Sequence, residues 1–264
     1  MLALALDASF GTGWWYEGGG LIRHNYLIAT ETTHLQPDST WSYATDIAGI
    51  VAQNTTASSA AGADAGAGAV SSSLGAPAPS VRKYSAKSAT VVTSAEVTNH
   101  GAAPNSVTIK ATITDAATGS VAGSSSSDPI TVPAGETVIA KTSQQLANVE
   151  IWSVQSPALY TVSVDVVSAS GGAVLDTFNY SIGIRTIAFD TKGLHLNGVN
   201  VKVRGFCDHS NFGGVGGAVP DRVNLYRTQM LRSVGANSWP VNMRTGPPTR
   251  ARPLPRRGAL FRVC

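Results

Sequence analysis

Asp208 and His209 are the adjacent side chains of this sequence best suited to bind a polar ligand. They follow the apolar run 201–206, and an imidazole beside a carboxylate offers hydrogen-bond donors and acceptors at the end of a predicted strand. The alternative, that both are loop residues that solvate the strand end, is the better interpretation for this chain by itself, because no further element is predicted to hold the loop. Cys207 and His209 are too few ligands for zinc, and no histidines have paired metal spacing. The sequence therefore predicts no metal site and no cofactor.

Aromatic side chains form the second set of candidate ligand contacts. Trp14, Trp15 and Tyr16 are consecutive, and they could stack on a flat ligand ring or pack in the core of a sheet. The core is the better interpretation for at least two of them. Trp152 and Tyr160 are predicted to lie in the core of a sheet or at a contact between domains.

Charge and composition exclude several classes of partner. Residues 1–185 carry seven Lys/Arg and thirteen Asp/Glu, whereas six arginines lie in the proline-rich last 21 residues. Nucleic-acid binding needs basic side chains on a folded face, so we predict no nucleic-acid partner. No apolar run approaches the roughly 18 residues of a membrane span, so we predict no membrane partner either. Glycines at 213–217 lack the spacing of a nucleotide-binding loop.

The central part of the chain has the pattern of half-buried strands. Apolar and polar residues alternate over 107–113 and 160–166. Turn-forming clusters separate the runs; they lie at 99–101, 115–119, 124–129, 133–135 and 168–172. About seven short strands between 88 and 190 predict an antiparallel sandwich of immunoglobulin-like size. Ala, Ser or Gly make up 19 of the 26 residues of 55–80, which predicts a flexible insertion.

The pattern changes after residue 190. Residues 194–201 predict a hairpin with an Asn197-Gly198 turn, and 201–206 predict a further strand. Apolar residues from Val219 to Val234 then follow helical spacing, with Pro220-Asp221 at the start and Gly235 at the end. Strand, loop and helix together form one βα unit.

Four segments resemble glycoside hydrolase family 2, which contains β-galactosidases, β-glucuronidases and β-mannosidases. They occur in the order of that family; they are GTGWWYEGGGLIRHNYL (11–27), IWSVQSPALYTVSVDV (151–166), GIRTIAFDTKGLHLNGVNVKVRGFCDH (183–209) and AVPDRVNLYRTQMLRSVGANS (218–238). The resemblance implies a mainly β chain. It would comprise a remnant of a sugar-binding jelly-roll domain, 1–40, an immunoglobulin-like β-sandwich, 41–185, with the insertion 55–80, and the first βα unit of an incomplete TIM barrel, 186–239. Residues 240–264 would be an aberrant Pro/Arg-rich tail.

The resemblance also implies a chemistry, the hydrolysis of O-glycosyl bonds of a β-glycoside substrate. Retaining glycosidases need two carboxyl groups about 5–5.5 Å apart, and the family places two glutamates on later barrel strands. The five glutamates here all precede the barrel segment, and Asp190 and Asp221 are better interpreted as turn and helix-start residues. We therefore assign no catalytic residue and predict that the chain alone is inactive.

Two further expectations follow from the resemblance. His209 would occupy the position of a substrate-contacting histidine, with Asp208 beside it, at the face of a barrel where active sites form. The family's Arg-x-Ser-His-Asn-Pro-Pro loop has only a partial counterpart at 243–248, so the tail is hypothesised to be an out-of-frame or mis-spliced segment. The alternative function is a non-catalytic β-sandwich that packs against other domains or binds sugar weakly.

Overall fold

A computed structural model describes residues 28–56, 80–206, 212–216 and 218–238, and it shows a mainly β chain. The described residues form thirteen strands and one helix. They belong to two compact units, a larger one over Thr30–Val201 and a smaller one that contains the described residues from Lys202 onward. The mainly β class predicted from the sequence is confirmed. Residues 57–79, most of the segment 1–40 and the tail 240–264 lie outside the described residues.

The first sheet of the larger unit is organised around one long strand. Its five strands are β1 (Thr33–Leu35), β2 (Trp41–Ala48), β3 (Val51–Thr56), β4 (Ser80–Asn99) and β8 (Thr137–Ile151). β4 lies in the middle because β1, β2 and β3 all pair with one of its edges and β8 pairs with the other, always antiparallel. The sheet therefore begins before residue 41, the predicted start of the sandwich.

The second sheet contains the two strands that the sequence pattern predicted most clearly. Its strands are β5 (Asn105–Asp115), β6 (Val121–Ser126), β7 (Ile130–Val132), β9 (Tyr160–Ser168) and β10 (Val174–Ile182). β9 lies between β10 and β5, and β6 and β7 share the other edge of β5. The predicted turn at 124–129 is partly wrong, since Ser124–Ser126 belong to β6. Serines are tolerated in this strand because it is an edge strand with solvent on one side.

The two sheets share one hydrophobic core. Alternate residues of β5 and β9 point inward, and those of β4 and β8 face them; the largest fully buried side chains include Ile109, Ile113, Leu146, Ile151, Val91, Val97, Val162 and Val164. Each such side chain contributes roughly 1.5–3 kcal/mol when it leaves water. Gly123 of β6 marks a close approach of the sheets, because a Cβ there would lie 2.7 Å from Leu146. Tyr160 is buried in this core, as predicted, and its hydroxyl oxygen accepts the Glu150 N–H.

In the first sheet, the alternation of inward-facing and outward-facing residues is interrupted at one point on β4 and at the paired point on β8. On β4, Ala86 and Ala89 both face the core, and on β8 the facing pair is Val149 and Leu146. One of the two residues in between on β8, Asn148, has a φ of 52°, which few L-residues other than asparagine adopt. The extra residue on each strand explains why a strict period of two fails to identify these long strands in the sequence.

A small three-stranded sheet ends the larger unit. It consists of β11 (Ile187–Asp190), β12 (Gly193–Leu196) and β13 (Val199–Asn200), paired in that order. Asn197 and Gly198 join β12 to β13 with φ values of 53° and 76°, the signature of a type I′ turn. The hairpin and its Asn-Gly turn are confirmed.

The smaller unit contains the predicted helix, α1 (Asp221–Ser233). Pro220 precedes it, Asp221 lies in the first turn and Gly235 follows it with a φ of 86°, so the predicted ends are confirmed. The prediction of a strand at 201–206 is wrong, since this segment forms no strand and pairs with no strand among the described residues. Instead, the side chain of Asn237 bonds this segment at both Lys202 O and Arg204 N.

Candidate functional site

The residues predicted to contact substrate are not among those that the structure describes. Asp208 and His209 lie in the undescribed segment 207–211, so their role stays a prediction. The aromatic cluster Trp14, Trp15 and Tyr16 also lies outside the described residues. Within the described ranges, no group of three or more His, Cys, Asp or Glu side chains is arranged to hold a metal ion. In those same ranges, no helix has the length and apolar character required to span a membrane.

Three acidic residues of the larger unit, Glu96, Glu150 and Asp190, lie in strands or at a turn between strands. Glu96 pairs with Ile139 in the β4–β8 ladder, whereas Glu150 lies eleven residues further along β8. At about 3.4 Å per residue they are roughly 35 Å apart, far beyond the separation of a glycosidase pair. Asp190 accepts the Lys192 N–H and contacts His195, and these hydrogen bonds hold the pKa of its carboxyl below its ordinary value. The interpretation of Asp190 as a turn residue is confirmed.

A concave surface lies between the edge strands β2 and β10. We call it the aromatic cleft. Its volume is about 540 Å³, and it is lined by Asp38, Thr40, Trp41, Ser42, Tyr43, Ala44, Phe178, Tyr180, Ser181, Ile182, Gly183, Arg185 and Ile187. Ligand pockets in proteins typically measure about 300–1,000 Å³.

The outer wall of the aromatic cleft is a pair of exposed aromatic rings. Trp41 and Tyr43 are 53% and 44% exposed, and both project from the same side of β2 because side chains repeat every second residue along a strand. Their ring centroids are 5.2 Å apart and the rings are inclined by 22°. This offset stacking joins them into one continuous aromatic surface.

The inner wall combines aromatic rings with hydroxyl groups. Phe178 and Tyr180 alternate on β10 and stack with ring centroids 5.6 Å apart. The Tyr180 hydroxyl shares a hydrogen bond with Ser42, which shares another with Thr93. Burial disfavours the phenolate and raises the pKa of Tyr180, and the hydrogen bonds only partly offset this. A neutral hydroxyl chain therefore links the edges of the two sheets.

One cation lines the aromatic cleft. The guanidinium of Arg185 lies 5.2 Å from the ring centroid of Trp152, and one of its terminal nitrogens donates to Gly183 O. Its Nε is buried without a hydrogen-bond partner among the described residues. Burial lowers the pKa of Arg185, since desolvation disfavours its charged form. This arginine is held by an aromatic face and a carbonyl rather than by a carboxylate.

Sequence reasoning missed this cleft. The available signals were two aromatic residues at a spacing of two, at 41–43 and again at 178–180. Only the pairing of β2 with β4 and of β10 with β9 brings these distant segments to neighbouring edges. Trp152, in contrast, was predicted to be buried, and it is.

Removing the Tyr180 hydroxyl is expected to change how stability depends on alkaline pH. Because the pKa of Tyr180 is raised in the folded state, its contribution is fully present below the ordinary tyrosine pKa of about 10 and is lost as pH rises through the higher folded value. The unfolding free energy of the wild type should therefore fall above pH 10. Tyr180→Phe should flatten this fall when denaturant unfolding is measured between pH 8 and 11.5. An unchanged alkaline slope would contradict the assignment.

Comparison with known proteins points to one family. Residues 79–185, which include β4 to β10, match the model of glycosyl hydrolases family 2. A putative β-glucuronidase of Formosa agariphila is 33% identical over 123 residues, which are 42% of this chain and 12% of that protein. The β-galactosidase BoGH2A of Bacteroides ovatus is 31% identical over 132 residues, which are 50% of this chain and 15% of that protein.

Solved structures share the fold. A family 2 glycosyl hydrolase from Bacteroides cellulosilyticus has a TM-score of 0.67 at 22% identity, over 86% of this chain and 26% of that one. A β-glucuronidase from the same family has a TM-score of 0.62 at 20% identity, over 83% of this chain and 20% of that one. The chain thus spans less than a third of the length of these relatives. The resemblance to glycosyl hydrolase family 2 predicted from the sequence is therefore confirmed, with residues 79–185 as the segment that matches the family model.

Proposed function

We propose that the protein belongs to an enzyme that hydrolyses O-glycosyl bonds of β-glycosides, of the β-galactosidase type, and that the larger unit is its non-catalytic immunoglobulin-like sandwich. The observation that carries this proposal is the family match over 79–185, which falls on the paired sheets of the larger unit. The relatives that the chain resembles include proteins named β-galactosidase and β-glucuronidase. The substrate class is thus a β-glycoside, as the resemblance implied.

The other proposed domains follow the same family order. We propose that residues 1–40 contain the end of a jelly-roll domain, and that the hairpin β12–β13, the loop and α1 are the start of a catalytic barrel. In that arrangement the segment 201–206, which has no strand pairing among the described residues, would take the place of the first barrel strand. Asp208 and His209 would follow it and contact the sugar, because barrel active sites form at the carboxyl ends of the strands. The position of α1 after the β12–β13 hairpin in the chain supports this order.

We further propose that this chain alone does not hydrolyse glycosides. The reaction needs an acid/base and a nucleophile about 5–5.5 Å apart, and the chain has no Asn-Glu pair of the kind the family uses as its acid/base. The glutamates Glu96 and Glu150 lie on a β-ladder far from each other. The larger unit would therefore support a catalytic domain without taking part in the chemistry.

Two experiments test these proposals separately. The purified chain should release no nitrophenol from aryl β-galactosides, β-glucuronides or β-mannosides, with the Bacteroides ovatus β-galactosidase as positive control. A rate above background that persists through purification, or a covalent adduct with a mechanism-based glycosidase inhibitor, would refute inactivity. A chimaera of the Bacteroides ovatus enzyme that carries residues 79–185 in place of its own matching segment should retain β-galactosidase activity. A chimaera that is folded and monodisperse but inactive would refute the supporting role.

A further inference from the structure

The geometry of the aromatic cleft points to a second carbohydrate contact: we propose that Trp41 and Tyr43, facing Tyr180 and Arg185 across the cleft, form an accessory pyranoside-binding site. The site would hold a sugar without cleaving it, and its lining residues in the described part of the chain all belong to the larger unit. The inference is independent of the proposed hydrolase function, since it requires no catalytic carboxylate. It also goes beyond the predicted contacts at Asp208 and His209, which lie elsewhere in the sequence.

The first step of the argument is the exposed aromatic surface. A tryptophan and a tyrosine that are each about half exposed, at 53% and 44%, leave a large flat apolar face in water. Their mutual stacking, with ring centroids 5.2 Å apart, favours one arrangement of the two rings and so reduces the side-chain entropy lost on binding. The electron-rich face of an aromatic ring attracts polarised C–H groups. A pyranose presents such groups on one flat side, which matches this surface.

The second step is the set of polar groups beside the rings. Ser42 and the Tyr180 hydroxyl form a chain with Thr93, and each hydroxyl can both donate and accept. Asp38, in the turn before β2, lines the same cleft and offers only acceptors. A ligand with several hydroxyl groups satisfies such donors and acceptors, whereas a hydrocarbon would leave them unpaired at a cost.

The third step is the charge of the aromatic cleft. Arg185 and Asp38 are its charged lining residues, one cation and one anion. A single arginine in a cleft that also contains a carboxylate cannot form the basic track that a nucleic acid requires. The hydrogen-bonding groups and the balanced charges fit a sugar, which is either neutral or carries one carboxylate within reach of Arg185. Neutral and acidic pyranosides therefore share the proposed chemistry, and the experiment separates them.

The test uses the complete 264-residue chain and two defined probes, methyl β-D-galactopyranoside and methyl β-D-glucopyranosiduronic acid. Saturation-transfer NMR should show magnetisation transferred from the protein to the ring C–H protons of at least one probe. Titration of the same probe should show an affinity at least tenfold weaker for Trp41→Ala or Tyr43→Ala. Phe189→Ala is the matched control, because Phe189 is 76% exposed but lies outside the lining of the aromatic cleft, and it should bind like the wild type.

The two probes and Arg185 identify the kind of sugar. If the glucuronide binds more tightly than the galactoside, and Arg185→Lys abolishes this difference in affinity, the ligand is an acidic pyranoside. The reason is that a lysine cannot reproduce the planar guanidinium contact. Equal affinities for the two probes that Arg185→Lys leaves unchanged assign neutral pyranosides. Near-ultraviolet circular dichroism shows whether each variant retains its packing.

Three results would overturn the proposal. The first is the absence of saturation transfer to either probe from a folded wild-type chain. The second is transfer that Trp41→Ala and Tyr43→Ala leave unchanged. The third is self-association of the wild type that Trp41→Ala removes while no sugar binds, which would make the aromatic cleft a contact between copies of the chain.

Discussion

Replacement of Trp152 with alanine is expected to lower the free energy of unfolding of the larger unit by about 3–5 kcal/mol, the usual cost of removing a buried aromatic side chain. Trp152 is 4% exposed, and its indole packs against Gly183 and beneath the guanidinium of Arg185. Removal of the indole would leave a cavity and would take away the aromatic face over which the Arg185 guanidinium lies. Urea denaturation followed by far-ultraviolet circular dichroism measures the effect without relying on tryptophan fluorescence.

Trp41→Ala is the matched control for this substitution. Trp41 is also a tryptophan of the larger unit, but it is half exposed on β2, so its removal creates no closed cavity. We expect its cost to stay below about 1 kcal/mol, as for most surface positions. Equal costs for the two substitutions would contradict the buried role of Trp152.

A double-mutant cycle with Gly183 tests the contact itself. A Cβ at Gly183 would lie 2.7 Å from atoms of the Trp152 ring, so Gly183→Ala alone should cost about 1–3 kcal/mol through overpacking. In the Trp152→Ala background the same methyl group enters a cavity, and its cost should largely disappear. Strictly additive costs would mean that the two residues do not touch in solution.

The sequence predicted those elements whose information is local. Alternation identified β5 and β9, an Asn-Gly pair identified the β12–β13 turn, and Pro220-Asp221 with Gly235 identified the ends of α1. Each of these signals arises within a few neighbouring residues, where backbone preference and side-chain period act directly. The family resemblance, which comparison confirms over 79–185, added the order of the segments.

The elements that were missed depend on long-range pairing. β4 extends over twenty residues from Ser80, eight residues before the predicted strand region begins, because β3 and β8 pair with this first part, although its alanines and serines have no strong strand pattern. The aromatic cleft depends on Trp41 and Tyr180, which are 139 positions apart in the chain and meet only through this pairing. The site predicted at Asp208 and His209 rested on the family resemblance. It stays a prediction, because both residues lie outside the described part of the chain.

The junction between the two-sheet core and the small sheet explains why one polar residue should matter as much as a core side chain. Asn197 is 7% exposed. Its side-chain Nδ2 donates to Trp152 O, and its side-chain Oδ1 accepts the Thr186 N–H. Its own N–H donates to Thr186 O, and Trp152 N–H donates to Ile184 O. Asn197 thus connects three parts of the chain: Trp152, which directly follows β8, the segment 184–186, and the β12–β13 turn.

Asn197→Ala should therefore lower the unfolding free energy by about 3 kcal/mol, since each buried partner left unpaired costs roughly 1–3 kcal/mol and a non-glycine residue at positive φ adds about 1 kcal/mol. Asn197→Gly separates the two causes, because glycine accepts the φ of 53° but supplies no side-chain hydrogen bonds. Glycine should recover about 1 kcal/mol of the loss and no more, as measured by the same urea titration. Full recovery by glycine would show that the hydrogen bonds to Trp152 and Thr186 contribute nothing, and equal losses for both variants would show that the turn stores no strain.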